Sequence, residues 1–378
     1  MRLRAAATDV AVVTALLLAG CSSSTDPADA GPAGANTASV PPPAPEVSAE
    51  DRAAHTMTPL ADGTLLVAGG CVVDGCATAT SSVVRISPEG DRAAAPMTVA
   101  RDAHTATLLA DGRVLVTGGF VGEGDAPLAT AEIYDPLRDT WTAVGDLAVG
   151  RGGHAAALLG DGRVVVVGGW VSSGTYTQQT EIFDPETGRF SRGPDLPVAV
   201  DGLAAASLPD GSALVVGGQQ SPGEATDQAV RIDADGTLHR LFGLRHARFK
   251  HALVSLPSGE ALAVGGTIDD VRLLRSTELF DLRTGRFQPG PTLLDGRYKL
   301  AGSAAALPDG RVLVAGGGPG AEVLGPRRGT AERVPGPTGV ASFSTVGLLG
   351  DAVLVLGGYD EQIRLTGTRH VVPVSDLD

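Results

Sequence analysis

A glycine doublet recurs along this chain at nearly constant intervals, and it constrains the fold more than any other feature. Successive doublets are separated by 49, 50, 49, 48, 51 and 41 residues. Self-similarity at a period of roughly 20 to 50 residues is typical of repeat architectures. The chain is therefore predicted to contain seven copies of one unit, marked by Gly69-Gly70, Gly118-Gly119, Gly168-Gly169, Gly217-Gly218, Gly265-Gly266, Gly316-Gly317 and Gly357-Gly358.

Each unit carries the signals of four antiparallel strands. An Ala-rich run precedes a turn such as Asp161-Gly162, and Asp-Gly between apolar runs is a strong hairpin signal. The apolar run Val164–Val167 follows, and its continuity predicts a strand buried on both faces. A third strand, as in 181–184, and a fourth that opens with Phe190 complete the unit. Four antiparallel strands per repeat are typical of one β-propeller blade.

The doublet, an aromatic-Asp pair on strand three and a Trp or Phe on strand four resemble the kelch repeat. Tyr134-Asp135 with Trp141, and Phe183-Asp184 with Phe190, carry these marks. The resemblance covers roughly residues 52–378 and implies an all-β, seven-bladed kelch-type propeller of the galactose oxidase superfamily. Six blades are the alternative, if the two ends combine into one blade. Pro373 near the end predicts an outer edge strand, because proline cannot donate to a ladder.

The first twenty residues predict export. Arg2 and Arg4 precede an apolar run over 10–20, which is shorter than the roughly 20 residues needed to span a bilayer. A basic start followed by a short apolar run is typical of a signal peptide. Leu18-Ala19-Gly20-Cys21 resembles a bacterial lipobox, which implies lipidation of Cys21 and anchoring to the outer face of a bacterial membrane. The alternative is an ordinary signal peptide with a chance cysteine.

Composition divides the rest of the chain into a tether and a domain. Residues 21–50 are rich in Ser, Ala and Pro and contain no aromatic residue, which predicts a disordered tether before a propeller over 51–378. The net charge of −14 disfavours nucleic-acid binding, because an acidic surface repels phosphate. In an exported protein, Cys71 and Cys76 are predicted to form a local disulfide. Neither a metal site nor a cofactor is predicted.

The longer loops predict which end of the propeller binds. Strands alternate in direction, so the tight turns share one end, and the variable segments after strand two share the other. Binding groups tend to lie on variable loops held by a rigid scaffold. Trp170 and Tyr176 with nearby amides could bind a sugar or a peptide, although a loop that packs its own aromatics is the alternative. The candidate binding residues are Phe120, Trp170, Tyr176, Gln178, Gln219, Asp269, Arg272 and Tyr359.

An Arg-x-x-His pattern precedes the first strand of several units and is expected at the same end. One interpretation is a cationic ring at a channel mouth that attracts an anionic ligand. We favour the other, in which each Arg bonds carbonyls or carboxylates and each His packs against a neighbour, because a binding site needs asymmetry. The pattern comprises Arg52 and His55, Arg101 and His104, Arg151 and His154, and Arg248 and His251.

Motifs for catalysis are absent from the sequence. It contains no Gly-x-Ser-x-Gly, no His-Glu-x-x-His and no phosphate loop. Copper oxidases resembling galactose oxidase need a Tyr cross-linked to a Cys, and the only cysteines beyond Cys21 are the expected pair. We predict a monomeric, non-catalytic module that presents one face to an envelope protein or glycan. The alternatives are an exported carbohydrate-active enzyme, such as a sialic-acid mutarotase-like kelch protein, and a purely structural envelope protein.

Overall fold

A computed structural model describes residues 48–122, 124–172, 175–334 and 341–377. The predicted signal peptide, Cys21 and the tether up to residue 47 lie outside these described residues. Within them, the regular structure is β-strand apart from two short 3₁₀ turns, Asp74–Cys76 and Val374–Leu377. The described part of the chain holds no helix of sufficient length and hydrophobicity to cross a membrane.

The strands form seven sheets in chain order, and we number each sheet as a blade. Blade 1 comprises β1 (Thr56–Pro59), β2 (Leu65–Ala68), β3 (Val83–Ser87) and β4 (Gly90–Ala94). Blade 2 comprises β5 (Thr105–Leu108), β6 (Val114–Thr117), β7 (Ala131–Asp135) and β8 (Thr140–Ala143). Blade 3 comprises β9 (Ala155–Leu158), β10 (Val164–Val167), β13 (Thr180–Asp184) and β14 (Arg189–Arg192). Blade 4 comprises β15 (Ala204–Ser207), β16 (Ala213–Val216), β19 (Ala229–Ile232) and β20 (Leu238–Arg240). Blade 5 comprises β21 (Ala252–Ser255), β22 (Ala261–Val264), β23 (Thr277–Asp281) and β24 (Arg286–Pro289). Blade 6 comprises β25 (Ala304–Ala306), β26 (Val312–Ala315), β27 (Ala321–Gly325) and β28 (Thr330–Val334). Blade 7 comprises β29 (Thr345–Leu349), β30 (Ala352–Leu356) and β31 (Arg369–Pro373).

Two small hairpins extend the loops of blades 3 and 4. They pair β11 (Trp170–Ser172) with β12 (Thr175–Tyr176), and β17 (Gln219–Ser221) with β18 (Glu224–Ala225). Both follow the second strand of their blade, so they project from the end that carries the longer loops.

The sheets close into a ring around their first strands. Each first strand contacts the first strands of both neighbouring blades, and β1 contacts β29 to complete the circle. The first strand is therefore innermost, as in a propeller, and the prediction of seven blades is confirmed over its six-bladed alternative.

The second strands show how the sequence stabilises this ring. In β10 every residue is buried, and alternate side chains face different neighbours because successive Cβ atoms point to opposite faces of a sheet. Val165 and Val167 pack with Val215 of blade 4, whereas Val164 and Val166 pack with blade 2. The continuous apolar runs are thus the cores of two blade junctions at once.

Over the part of the chain that the structure describes, the ring closes without exchanging a strand between its ends. Blade 7 has three strands, and β31 is its outermost, in agreement with the edge position predicted from Pro373. Blades 7 and 1 pack through a shared apolar core that includes Leu65 and Leu356, and loop contacts add to it. The Tyr359 hydroxyl donates to the Val73 carbonyl at 2.8 Å, and the Leu365 amide donates to the Asp74 carboxylate at 2.8 Å.

Candidate functional site

The arginines of the Arg-x-x-His pattern lie inside the blades. Arg52, Arg101, Arg151 and Arg248 are fully buried. Each donates from Nη1 to the carbonyl of the first glycine of its own blade's doublet, at 2.7 to 3.0 Å. This corrects the interpretation of an open cationic ring, because guanidinium donors that are bonded to buried carbonyls cannot meet an incoming anion.

Three of these arginines, and Arg297 at the equivalent position of blade 6, pair with a buried glutamate on the third strand. The ion pairs are Arg101–Glu132, Arg151–Glu181, Arg248–Glu278 and Arg297–Glu322, with N–O distances of 2.6 to 2.9 Å. Each carboxylate also accepts from a backbone amide of the linker that enters the blade, as with Glu181 and the Ala148 amide at 2.7 Å. Each pair joins a linker to its blade, within one repeat rather than between blades.

The histidines of the pattern sit at blade junctions. His55, His104 and His154 each place Nε2 within 2.6 to 3.0 Å of a threonine hydroxyl at the start of the preceding blade's first strand. Burial lowers the pKa of His55, His154 and His251 to about 3, with a smaller effect of the neighbouring arginine. These imidazoles are neutral, and they lie at separate junctions where they do not converge on one metal.

One residue per blade, just before the His of the pattern or before its equivalent in blades 4, 6 and 7, forms what we call the mouth ring. All seven have positive φ, and they are Ala54, Ala103, Gly153, Gly202, Lys250, Lys299 and Phe343. Backbone hydrogen bonds of 2.7 to 3.2 Å run from blade to blade around the ring at six of the seven junctions. The ring therefore surrounds the axis at the end that carries the long loops.

Side chains divide the mouth ring into two unlike halves. Blades 1 to 4 contribute only alanine or glycine, whereas blades 5 to 7 contribute Lys250, Lys299 and Phe343. The small side leaves space next to a cationic and aromatic side. This asymmetry is what the Arg-x-x-His pattern itself lacks.

An aromatic pair flanks the small half of the mouth ring. Phe120 and Trp170 come from neighbouring blades, their ring centroids lie 5.3 Å apart, and both are half-buried. Phe120 lies where a Cβ on Gly152 would stand, so that glycine makes room for its ring. Tyr176 pairs with Trp170 across the β11–β12 hairpin and is also half-buried.

Other predicted binding residues are engaged within the protein. Gln219 is buried and bonds the Asp201 carboxylate at 3.2 Å, and Tyr359 is buried at the junction of blades 7 and 1. Asp269 and Arg272 form an ion pair with each other at 2.7 Å in an exposed loop. Gln178 is exposed. Of the predicted set, Phe120, Trp170, Tyr176, Gln178 and the Asp269–Arg272 pair retain surface for a ligand.

Two carboxyl groups near the mouth ring have raised pKa values. Asp102 is buried, its side chain has no hydrogen-bond partner among the described residues, and desolvation raises its pKa to about 7. Desolvation raises the pKa of Asp201 to about 6, although the hydrogen bond from Gln219 opposes the shift. Sequence reasoning singled out neither carboxyl group as a candidate site, because only the fold removes them from water.

Cys71 and Cys76 form a disulfide in the loop that follows β2. Together with the Asp102 carboxylate, their sulfur atoms make the one cluster of three or more possible metal ligands within the described ranges. The disulfide occupies both sulfurs, so these residues do not fit a metal ion, and they do not fit copper of the oxidase type.

A separate cavity lies away from the mouth ring. A groove of about 690 Å³ runs between the tight turns of blades 5 and 6 at the opposite end, lined by residues that include Arg311, Arg327 and Glu332. We place the candidate site at the mouth ring, because the groove is an open cleft between turns and lacks exposed aromatic rings.

Comparisons with known proteins agree with this architecture. The kelch motif matches residues 103–148 and 151–197. No curated protein matches the chain significantly. The structure is similar to that of YjhT, with a TM-score of 0.57 and 14% identity over 88% of this chain and 97% of that chain. It is also similar to a fungal alcohol oxidase of the AA5 family in complex with copper, with a TM-score of 0.59 and 17% identity over 85% of this chain and 75% of that chain.

At these identities, structural similarity establishes the fold and leaves the function to the site. The motif matches, the repeated doublets and the ring of seven sheets together support a kelch β-propeller.

Proposed function

We propose that this protein is an exported, lipid-anchored binding module that presents its mouth ring and the adjoining loops to an envelope protein or glycan. The kelch propeller fold supports a binding or scaffold role. The observation that carries the proposal is the half-exposed pair of Phe120 and Trp170, 5.3 Å apart on neighbouring blades. Such rings offer an apolar face, and nearby polar groups supply directional hydrogen bonds.

The binding role is tested by affinity capture from native envelope extract with the full chain as bait. We expect a partner that the wild type captures and that Phe120→Ala and Trp170→Ala lose. Phe242→Ala is the matched control, because Phe242 is an exposed ring that stacks on Arg286 at the outer strand of blade 5. Equal capture by all four proteins would contradict the proposed binding face.

The anchor has its own test. Cys21 lies outside the described residues, and its lipidation is supported by the sequence Leu18-Ala19-Gly20-Cys21 alone. We expect the full chain to incorporate a fatty-acid label in bacterial cells and to partition with membranes, and Cys21→Ser to lose both properties. Labelling that persists in the variant would refute the anchor and leave the binding role intact.

A second candidate function is an exported carbohydrate-active enzyme such as a sugar mutarotase. It is favoured by Asp102 and Asp201, since carboxyl groups with pKa values near 7 and 6 suit general acid-base work at neutral pH. The test is NMR measurement of anomer interconversion for a panel of sugars, with Asp102→Asn and Asp201→Asn alongside the wild type. Rates equal to the uncatalysed rate would exclude this function for the sugars tested.

A further inference from the structure

Lysine is almost absent from this protein, and its two occurrences coincide in space. The chain has 27 arginines and two lysines. Lys250 and Lys299 occupy the same mouth-ring position in the adjacent blades 5 and 6. Their backbones are neighbours, because the Leu300 amide donates to the Lys250 carbonyl at 3.2 Å.

The backbone at this position does not favour lysine. The φ angles are +53° for Lys250 and +56° for Lys299, in the left-handed region that long side chains rarely adopt. Blades 3 and 4 carry glycine there, the residue that adopts this conformation without steric cost. The two lysines therefore occupy a strained position that the fold itself fills more easily with glycine.

Aromatic rings lie beside the Lys299 ammonium group, whereas the Lys250 ammonium group lies 5.1 Å from the Phe249 ring centroid and is held in an ion pair. The Lys299 Nζ lies 5.1 Å from the Tyr298 ring centroid and 5.4 Å from that of Phe343, and within the described ranges it forms no ion pair. The Lys250 Nζ pairs with the exposed Asp270 at 2.6 Å. Exposed pairs of this kind contribute little stability, so an incoming anion can displace Asp270.

We propose that Lys250 and Lys299 form a binding site for an oxyanion, either a carboxylate or a phosphate group of the ligand at the mouth ring. The inference rests on the proposed function, because it names the chemistry of the ligand for that face. Two compact ammonium groups with rotatable donors suit an anion that arrives and leaves, whereas the chain's buried arginines hold fixed partners. The adjoining alanines and glycines leave space for the rest of the ligand.

The site can be observed directly because the protein has so few lysines. Reductive methylation with ¹³C keeps the charge and gives one NMR signal for each lysine of the full chain. The probes are inorganic phosphate and acetate, with sodium chloride at equal ionic strength as the reference. We expect both lysine signals to shift saturably with at least one probe and not with chloride. A response to phosphate alone or to acetate alone identifies the preferred anion.

Variants make the result specific to this pair. Lys299→Gly should weaken the response of the Lys250 signal at least tenfold, and Asp270→Asn should strengthen binding at least twofold by releasing Lys250. Arg283→Gln removes a positive charge from a turn at the opposite end and should leave the affinity within twofold. Glycine occupies this position in two other blades, so Lys299→Gly should not lower the thermal midpoint.

Three results overturn the anion site, and two of them come from the NMR titration. One is the absence of a shift with either probe, and the other is a Lys250 response that Lys299→Gly does not change. Failure of the proposed function is a different result, namely partner capture that Phe120→Ala and Trp170→Ala do not affect. Capture lost in those variants but unchanged in Lys250→Gly and Lys299→Gly would remove the anion site and keep the binding face.

Discussion

The two glycines of each doublet lie where the next blade's Arg-x-x-His segment, or the equivalent segment in blades 4, 6 and 7, crosses the end of the second strand. Gly118 has φ +61°, and a Cβ there would stand 2.3 Å from the Arg151 carbonyl oxygen. The Gly119 amide donates to the same oxygen at 2.8 Å. The doublet is thus required by a close backbone crossing as well as by its dihedral angles, which explains why it recurs in every blade.

Gly118→Ala should therefore destabilise the propeller more than an alanine at an open turn. We expect a loss of about 3 kcal/mol in the free energy of unfolding, from steric crowding added to the left-handed backbone. Gly112→Ala is the control, because its φ is +85° but nothing lies within 4 Å of its added Cβ. Its loss should be about 1 kcal/mol. Equal losses in urea denaturation would mean that crowding contributes nothing.

The junction histidines predict acid sensitivity. An unfolded His titrates near pH 6.5, whereas the buried residues titrate at about 3. The unfolded chain therefore binds more protons between these values, and stability is complete above about pH 6.5 and is lost as the pH falls towards 3.

His251→Leu should reduce this acid sensitivity without lowering stability at pH 7. Neither ring nitrogen of His251 has a partner within the described residues, and blades 4 and 6 carry Leu203 and Leu300 at this position. His104→Leu should cost stability at pH 7, because it leaves the Thr56 hydroxyl without its bond at 3.0 Å. The measurement is the thermal midpoint of both variants from pH 4 to 8. If the thermal midpoint of His251→Leu falls with pH as steeply as that of the wild type, His251 is not a source of the acid sensitivity.

At the scale of secondary-structure elements, the buried ion pairs fix the linkers of blades 2, 3, 5 and 6 to their blades. Glu181 on β13 accepts from Arg151 at 2.7 Å and from the Ala148 amide at 2.7 Å. Both partners precede the blade's first strand, so one carboxylate holds the chain's entry point against the third strand. Removing it would leave a buried guanidinium and an amide without their acceptor.

Glu181→Ala is expected to cost about 3 to 5 kcal/mol, because an unpaired buried charge is costly. Asp195→Ala breaks the exposed pair of Arg192 and Asp195 in the same blade, at 2.9 Å, and should cost about 1 kcal/mol or less. Comparable destabilisation of the two variants in chemical denaturation would show that the buried pair has no special role.

Sequence reasoning predicted these elements better than their contacts. Asp-Gly turns and apolar runs predicted the strands because both signals are local. The glutamate partners of the arginines lie 25 to 31 residues downstream, so no local motif reveals them. Blade 4 does carry a signal of this pairing, because it lacks both the arginine and the glutamate and has Val200 and Val230 at the equivalent positions. The mouth-ring lysines could not be recognised, because a positive φ outside glycine is a property of the folded backbone.

At the scale of the whole molecule, closure depends on the contact between blades 1 and 7. Among the described residues no strand is shared across it; a buried apolar core packs the two blades together, and the loops that follow their second strands add hydrogen bonds. The loop from Cys71 to Cys76 provides the Val73 carbonyl and the Asp74 carboxylate that blade 7 bonds. The disulfide holds these acceptors in place.

The double variant Cys71→Ser and Cys76→Ser should weaken the closure locally. A disulfide that closes so short a loop contributes about 2 kcal/mol through the unfolded state. We expect faster amide hydrogen exchange around residues 71–81 and 359–368, with blades 3 and 4 unchanged. Exchange that rises equally in all blades would show that the disulfide stabilises the ring as a whole.

The histidine-threonine contacts have a consequence for how such a chain can grow by duplication. Thr56 belongs to blade 1 and His104 to blade 2, so each contact is divided between two consecutive repeats. A copied blade inserted elsewhere would bring half of a contact at each of its borders. Only a copy whose neighbours already carry the matching halves keeps both borders satisfied. His251 faces blade 4, whose first strand begins with Ala204 in place of a threonine, so this junction lacks the histidine-threonine contact. A duplication must therefore keep the junction between two repeats intact, and not only the single repeat. For the same reason, the order of the repeats along the chain matters.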